Sequence, residues 1–481
     1  MDKKIPDTVK VILSVLEKAG HQAYIVGGAV RDLLRGVEPY DYDITTSARP
    51  EQVLDCAKSQ RWQVVDNLGQ NFGVVMLIIN GQTFEVTTFR GERYGEDSHR
   101  PEQVWFADSL ETDLARRDFT INAMAMDAGG DIVDLFGGRR DLTNKIIRAV
   151  GDAKLRFKED SLRMFRACRF AGQLGFRIEN GTLSAMQDNL QRVAGLSLER
   201  VRSELEKMLL AEYCQISLAY FVETGLNQCY CRIKEKGQCS SVPILPELTH
   251  LVNLPQNSAY HKYDGWNHTL AACSNVPADL LLRWAALLHD IGKGLPGVRG
   301  MKDGQPTDYR HDAAGAQLAQ VILTRLQMKP KFVKLAVWLV ARHMKFYFYL
   351  NNNQSAVKRW LREEARLGAF RSRRELQKAF DLLTIVCVAD NAATGFGSTG
   401  ADEILTFGRY IEAMLHQMPV HTSDLCYSAS RLTQALGTPR LIGPFLKIAL
   451  QRVQDGNLAN DEEAITAAAN KWAKRRQTKD I

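Results

Sequence analysis

Apolar positions recur at helical spacing over residues 8–19, where Val9, Ile12, Leu13 and Leu16 would share one face. Asp7 is placed to cap this helix and Gly20 to end it. The pattern then changes to short apolar runs at 23–26, 42–45, 73–79 and 83–89, which read as strands. Asn80-Gly81 between the last two is a strong hairpin signal. Residues 90–109 contain Gly91, Gly95, Asp97, Ser98 and Pro101 and read as a long polar loop, a feature that is usually functional or mobile. From about residue 154 onward the strand pattern fades and helical periodicity runs almost to the end. The expectation is an α+β fold: an N-terminal head of mixed or antiparallel sheet with helices, then an all-helical remainder.

With 481 residues the chain exceeds what one core can serve, so three or four domains are expected. Stretches rich in Ser, Pro, Asn and Gly at 235–247 and 251–265, and again at 391–400, mark candidate boundaries, and no internal repeat of solenoid length is present. A hydrophobic content of 45% with 24% charged residues is ordinary for a soluble globular protein. No run of about 18 apolar residues occurs, so no membrane span is expected. The first residues, Met1-Asp2-Lys3-Lys4-Ile5-Pro6, lack the apolar core of a secretory signal. Nine scattered cysteines fit a reduced compartment, and the close pair Cys229 and Cys231 has no second pair to complete a zinc site. A cytoplasmic location follows as an expectation. The net charge of +7 suits a polyanionic partner, though overall charge alone points weakly.

Three constellations carry candidate chemistry in the head and the segment after it. Tyr24-Ile25-Val26-Gly27-Gly28-Ala29-Val30-Arg31-Asp32 reads as a strand, a glycine turn and a helix start. Such a turn lets backbone N–H groups approach a phosphate, with Arg31 adding positive charge. Asp41-Tyr42-Asp43 follows, and carboxylates two apart on a strand project to one face, as a divalent-metal site for nucleotidyl transfer requires. Glu85 is a third acidic candidate, weighed equally against a solvent-facing edge residue. Arg116-Arg117-Asp118-Phe119-Thr120-Ile121-Asn122-Ala123 could grip ribose and phosphates, or be no more than a capped helix start. In Glu159-Asp160-Ser161-Leu162-Arg163-Met164-Phe165-Arg166-Ala167-Cys168-Arg169-Phe170, Asp160 and Arg163 would be helix neighbours, with Arg166 and Arg169 extending the row. A carboxylate beside a guanidinium matches the amine-donor and ring-acceptor edge shared by cytosine and adenine, and mismatches uracil and guanine. The competing reading is an ordinary surface ion pair worth ~0.3–0.5 kcal/mol.

Together these motifs resemble the class II CCA-adding tRNA nucleotidyltransferases, the group that includes bacterial poly(A) polymerases. Asp134-Leu135-Phe136-Gly137-Gly138-Arg139-Arg140-Asp141-Leu142 is similar to the family's hinge element, and Leu198-Glu199-Arg200-Val201-Arg202 with Glu204 and Lys207 to its neck-stabilising motif. The resemblance implies that Asp41 and Asp43 hold two Mg2+ ions and carry catalysis. It also implies that Gly28, Arg31, Arg117, Asp118, Asn122, Asp160, Arg163, Arg166 and Arg169 bind the incoming CTP or ATP, and that tRNA is the partner. The loop at 90–109, with Arg90, Arg93 and Arg100, is full length, as in members that add all of CCA, while its departure around Gly95–Arg100 leaves A-only addition open. Ser423-Asp424-Leu425, Gly437, Ile442-Gly443-Pro444, Val453, Gly456, Leu458 and Asn460 resemble the tail of bacterial members, which grips tRNA by shape. The basic end Lys471, Lys474, Arg475, Arg476 and Lys479 either touches phosphates or is solvated.

A second set is His268, His289-Asp290-Ile291-Gly292-Lys293-Gly294, His311, His343 and Asp390. Imidazoles and carboxylates are the usual ligands of first-row metals. The spacing resembles the HD phosphohydrolase superfamily, in which His268, His289, Asp290 and Asp390 match the metal positions and His311 and His343 the extra ligands of dinuclear members. The metal would be a divalent transition ion or Mg2+, and phosphohydrolase activity is an expectation only. The predicted partition is head 1–150, helical neck 151–212, body linker 213–257, HD domain 258–397 and helical tail 398–481. Two rivals remain at this point: a poly(A) polymerase, and a chain acting chiefly as an HD hydrolase on RNA 2′- or 2′,3′-cyclic phosphate ends. The oligomeric state is left open.

Overall fold

The computed structural model describes residues 5–65, 73–93, 103–235, 237–396 and 400–477. The chain divides into two compact units, Met1–Thr249 and His250–Ile481. Helix α1 (Asp7–Lys18) opens the first and buries Val9, Ile12, Leu13 and Leu16, the stripe its periodicity predicts. Asp7 does not cap it. Pro6 occupies the cap position and Asp7 is the first helical residue, where a carboxylate still favours the helix dipole.

The strands of the first unit are β1 (Ala23–Val26), β2 (Asp43–Thr46), β3 (Gln63–Val65), β4 (Val74–Ile79), β5 (Gln82–Thr88), β6 (Arg90–Arg93), β7 (Gln103–Phe106), β8 (Ala125–Met126) and β9 (Ile132–Val133). Seven of them form one sheet in the order β3-β4-β5-β2-β1-β8-β9. It is mixed: β2 and β5 run parallel, while β1 is antiparallel to both β2 and β8. At the β4–β5 turn Asn80 (φ 53°) and Gly81 (φ 78°) both take the left-handed conformation that a two-residue hairpin needs. Helices α2 (Gly28–Leu34) and α3 (Pro50–Ser59) join α1 around the apolar core of this sheet, with Ile25, Ile44 and Val86 at its centre.

The stretch expected to be a polar loop begins and ends in structure. β6 and β7 pair as an antiparallel ribbon, Arg90 opposite Phe106 and Gly91 opposite Trp105. The Trp105 indole lies across Gly91 and leaves no room for a Cβ there. The centre of that stretch, residues 94–102, lies outside the described residues. Helix α4 (Leu110–Ala115) follows, then α5 (Gly138–Thr143), the paired short strands β10 (Ile146–Ile147) and β11 (Arg177–Ile178), and helices α6 (Ala153–Glu159), α7 (Leu162–Leu174), α8 (Asn180–Gln187), α9 (Leu198–Leu209) and α10 (Cys214–Glu223). The antiparallel hairpin β12 (Tyr230–Glu235) and β13 (Gln238–Pro243) closes the unit where a linker was expected.

The second unit contains α11 (Gly265–Asn275), α12 (Leu280–Leu288), the hairpin β14 (Arg299–Lys302) and β15 (Gln305–Asp308), then α13 (His311–Arg325), α14 (Pro330–Leu350), α15 (Gln354–Arg366), α16 (Arg373–Ala392) and α17 (Ala401–Gln417). Helices α18 (Ala429–Leu436), α19 (Ile442–Gln454) and α20 (Glu462–Gln477) share a small separate core of Leu432, Phe445, Ala449 and Ile465. The remainder after 154 is therefore predominantly helical, interrupted among the described residues by the short strand β11 and the two hairpins β12–β13 and β14–β15, which the periodicity did not indicate. No helix among the described residues is long and apolar enough to cross a membrane.

Candidate active sites

The first site forms where β1 ends. Gly27 takes φ 74° and ψ −134°, a conformation costly for any side chain, and turns the strand into α2. Space is also short there: a Cβ on Gly27 would lie 3.2 Å from the Arg117 guanidinium and 3.8 Å from the Asp43 carboxylate. The structure thus assigns the tight approach to Gly27, while Gly28, the predicted contact, opens α2 beside Arg31.

Asp43 begins β2, opposite Val26 on one side and Glu85 on the other. Asp41 precedes the strand, so strand alternation is not what relates the two aspartates. They remain electrostatically coupled. Desolvation by the surrounding chain, then Glu85 and Asp41, push Asp43 up to about 6 against the opposing pull of Arg117. Asp41 and Asp43 are both exposed at the surface. Asp43 and Glu85 line a cleft of about 430 Å³ whose other walls carry Arg90, Arg116, Arg117, Asp118, Asp160, Arg163, Arg166 and Arg200. Glu85 therefore faces this cleft rather than bulk solvent.

Asp118 is buried and accepts from the Phe119 N–H (2.8 Å), Asn122 Nδ2 (3.2 Å) and Arg166 Nε (2.7 Å). Burial alone would raise its pKa, but the Arg166 guanidinium holds it below the usual carboxylate range. Asn122 Oδ1 in turn accepts from Arg31 Nη1 at 2.8 Å, and Arg31 also pairs with Asp32 at 2.8 Å. A continuous polar chain, Asp32–Arg31–Asn122–Asp118–Arg166, joins α2 to α7. The bland alternative of a capped helix start does not describe this segment.

Asp160 and Arg163 both face the cleft but do not pair with each other. Asp160 lies in extended backbone (φ −143°, ψ 104°) before α7, accepts from the Leu162 N–H at 3.1 Å and pairs with Arg200 at 2.9 Å. Arg163 is 7% exposed and donates to Glu159 (2.7 Å) and to the carbonyls of Arg156 (3.2 Å) and Arg116 (2.8 Å). Helical i,i+3 spacing does not relate their side chains, because α7 begins only at Leu162. Arg169 is not among the cleft-lining residues; it pairs with Glu204 at 2.9 Å and stacks on Phe170 at 4.2 Å. Arg200, which the sequence placed only in a stabilising motif, is the partner that reaches Asp160 inside the cleft.

The second site lies in the other unit. Gly292 allows the chain after α12 to pass α13 so closely that a Cβ would sit 2.6 Å from the Gly315 nitrogen. This approach brings His311 to Asp290. Four imidazoles converge on that carboxylate: His268 (3.4 Å) and His289 (3.2 Å) on Oδ2, His311 (3.2 Å) and His343 (3.8 Å) on Oδ1. Asp390 Oδ1 lies 3.0 Å from His268 and 3.5 Å from His289. Each Nδ1 faces a backbone carbonyl, that of Ala393, Ala286, Asp308 or Val340, at 2.7–3.1 Å. Those carbonyls fix the proton on Nδ1 and leave all four Nε2 lone pairs pointing inward.

The inward geometry fits cations. His268 Nε2 and His289 Nε2 are 3.2 Å apart, and His311 Nε2 and His343 Nε2 are 3.1 Å apart, contacts that lone pairs alone would make repulsive. Two donor groups result, His268–His289–Asp390 and Asp290–His311–His343, all buried. Burial opposes a charge on His289, but Asp290 and Asp390 outweigh it and lift that imidazole to about 10, so a proton on Nε2 answers the same anionic pull that a bound cation would answer in its place. Burial, then His311, pushes His343 down to about 4. Lys293 (2.6 Å from Asp290) and His261 (ring centroid 4.8 Å from that of His268) join the site without having been singled out as functional. A cavity of about 740 Å³ opens beside it, lined also by Tyr260, Met344, Tyr347 and Phe396.

Residues 23–148 match the poly A polymerase head domain, 175–229 the probable RNA- and SrmB-binding site of polymerase A, and 265–394 the HD domain. A CCA-adding enzyme of Enterococcus faecalis is 42% identical over 305 residues, 61% of this chain and 72% of that protein. The chain belongs to the CCA-adding enzyme family. Another CCA-adding enzyme, from Lactobacillus helveticus, is 47% identical over 229 residues, 47% of this chain and 56% of the relative. The chain thus spans little more than half the length of several CCA-adding enzymes it matches. The crystal structure of the Bacillus stearothermophilus CCA-adding enzyme in complex with CTP aligns over 98% of both chains with a TM-score of 0.66 at 27% identity.

Proposed function

We propose that this protein is a template-independent tRNA nucleotidyltransferase that adds CCA, or its terminal A, to tRNA 3′ ends from CTP and ATP. The observation that carries the reading is the meeting of Asp43, Glu85 and Arg117 at the Gly27 turn, in a cleft walled by arginines. Asp41 and Asp43 would hold Mg2+, which supplies charge neutralisation for in-line phosphoryl displacement when bound. Arg117 and Arg166 would take phosphate charge, and Gly27 keeps the backbone low enough for a triphosphate to approach. Asp160 with Arg200, and Arg163 behind them, would present the polar edge that accepts cytosine or adenine. Relatives named CCA-adding enzymes and a structure described as a complex with CTP support this substrate class.

Within this proposal 1–150 is the head, 151–212 the selecting neck and 398–481 a tRNA-gripping tail, and the location is cytoplasmic. The test offers tRNA ending before CCA, after the first C and after both Cs, each with CTP and ATP separately. Extension that stops at CCA supports the reading; a long A tail indicates a poly(A) polymerase, and no incorporation refutes both.

For the second unit we propose a dinuclear, metal-dependent phosphohydrolase centre acting on RNA 2′- or 2′,3′-cyclic phosphate ends. Four imidazoles favour first-row divalent ions over Mg2+. When bound, such ions supply Lewis-acid charge for phosphoester hydrolysis. Lys293 stands beside the carboxylate between the two donor groups, where it would meet phosphate charge. Phosphate release from 2′-phosphate ends, or opening of 2′,3′-cyclic phosphate ends to a monoester, in either case lost on Asp290→Ala, is the test.

A further inference from the structure

We propose that Asp113 is a positioning residue of the nucleotidyl-transfer cleft, holding the arginine pair Arg116 and Arg117 against the strand that carries Asp43. The inference deepens the nucleotidyltransferase reading above and depends on it for its kinetic readout. Asp113 lies on α4 with no exposed surface and does not line the cleft. It cannot touch a substrate, so any effect passes through its partners.

Those partners define the junction. Asp113 Oδ1 accepts from Arg116 Nε at 3.0 Å and Nη2 at 2.7 Å. Oδ2 accepts from Arg117 Nη2 at 3.2 Å and from Thr45 Oγ1 at 3.3 Å. Thr45 is two residues beyond Asp43 on β2, so both project to the same face of that strand. The far end of Arg117 approaches Gly27 so closely that a Cβ there would lie 3.2 Å from Nη1. One buried carboxylate therefore ties the metal-site strand to a guanidinium at the phosphate turn. The link reaches further, because the Arg116 carbonyl accepts from Arg163 Nη2 at 2.8 Å.

The electrostatics agree with the geometry. Burial would push Asp113 upward, but Arg116 and then Arg117 hold its carboxyl below the usual range, so it stays ionised. A rigid anion behind a guanidinium fixes a fork that would otherwise sample several rotamers in an open cleft. With that anion in place, Arg117 is set before nucleotide arrives.

The test is Asp113→Asn measured in the native and Arg117→Ala backgrounds, with nucleotide KM and kcat read on tRNA lacking its end. The expected result is a rise in nucleotide KM of about tenfold in the native background, falling to less than about twofold once Arg117 is gone. An unchanged KM, or the same loss in both backgrounds, overturns the proposal, since a merely structural carboxylate would act independently of Arg117. Should Asp113→Asn fail to fold, Thr45→Val removes a single donor to the same carboxylate. A folded Thr45→Val protein is expected to raise KM by about two- to threefold, and no change in KM overturns the proposal. If the native protein incorporates nothing, the function proposed above fails, and calorimetric CTP binding then decides separately: weaker binding by Asp113→Asn supports the positioning role, equal binding ends it.

Discussion

Asp43 and Glu85 are register partners across the parallel strands β2 and β5, which sets one carboxylate from each strand on the wall of the same cleft. Asp41 adds a third from the segment just before β2 and is felt electrostatically at Asp43. Arg117 offsets the repulsion among these acids only in part at Asp43, and bound cations would relieve the rest. Asp41→Ala and Asp43→Ala are each expected to reduce nucleotide incorporation by about a thousandfold or more, with tRNA binding retained. Glu85→Gln, which removes charge without shortening the chain, is expected to cost less, about ten- to a hundredfold. Single-turnover incorporation beside a gel-shift measurement of tRNA binding checks all three, and an active Asp43→Ala protein would remove the metal assignment.

The same crowding has a pH signature. Desolvation, Glu85 and Asp41 raise Asp43 to about 6, and a divalent ion needs its ionised form. Protons therefore compete with Mg2+ as pH falls through that value, and incorporation at low Mg2+ should fall with it. Raising Mg2+ should move the midpoint to lower pH. Glu85→Gln removes one of the raising charges and should lower the midpoint at fixed Mg2+. A profile flat across roughly pH 4 to 8, about two units either side of that titration, would contradict the arrangement.

What the chain made legible in advance was local chemistry. The α1 stripe, the Asn80-Gly81 turn and the glycine step after β1 each depend on neighbouring residues, and each is present. The ribbon of β6 and β7 was hidden because β6 is polar, β7 is only four residues long, and their packing depends on Trp105 crossing Gly91 from the other strand. Asp160 was matched to Arg163 by helical spacing, whereas its actual partner, Arg200, comes from a helix forty residues away in sequence. Asp113 gave no signal at all, since one acid in a charged segment reads as solvated until tertiary structure buries it. The histidines were legible as a set, but the sharing of Asp290 between two donor groups required α11, α13, α14 and α16 to meet the end of α12 at the Gly292 crossing.

The Asp160–Arg200 pair makes nucleotide choice testable. If Asp160 accepts from the exocyclic amine of cytosine or adenine, removing Arg200 frees a carboxylate that should reorient. Arg200→Ala is expected to narrow discrimination of CTP and ATP over UTP and GTP by about tenfold, with smaller change in tRNA affinity. Arg163→Ala should act in the same direction and also lower thermal stability, because that guanidinium is buried against Glu159 and two carbonyls. Misincorporation of UTP under competition measures the first effect and thermal unfolding the second; unchanged selectivity in both variants would count against a base reader here.

In the second unit, the division of ligands makes a stoichiometric prediction that does not depend on any substrate. His311 and His343 belong to one donor group, His268, His289 and Asp390 to the other, and Asp290 offers an oxygen to each. His343→Ala should therefore leave the purified protein with about one metal ion in place of two, whereas Asp290→Ala, which strips a ligand from both groups, should leave fewer still. Elemental analysis after equilibration with Mn2+ or Fe2+ measures this directly. The head carboxylates are not touched by either change, so CTP incorporation should stay within about twofold of the native value. Loss of both ions on His343→Ala would mean that the groups fill only as a unit, and would replace the picture of two sites sharing one carboxylate with that of a single cooperative cluster.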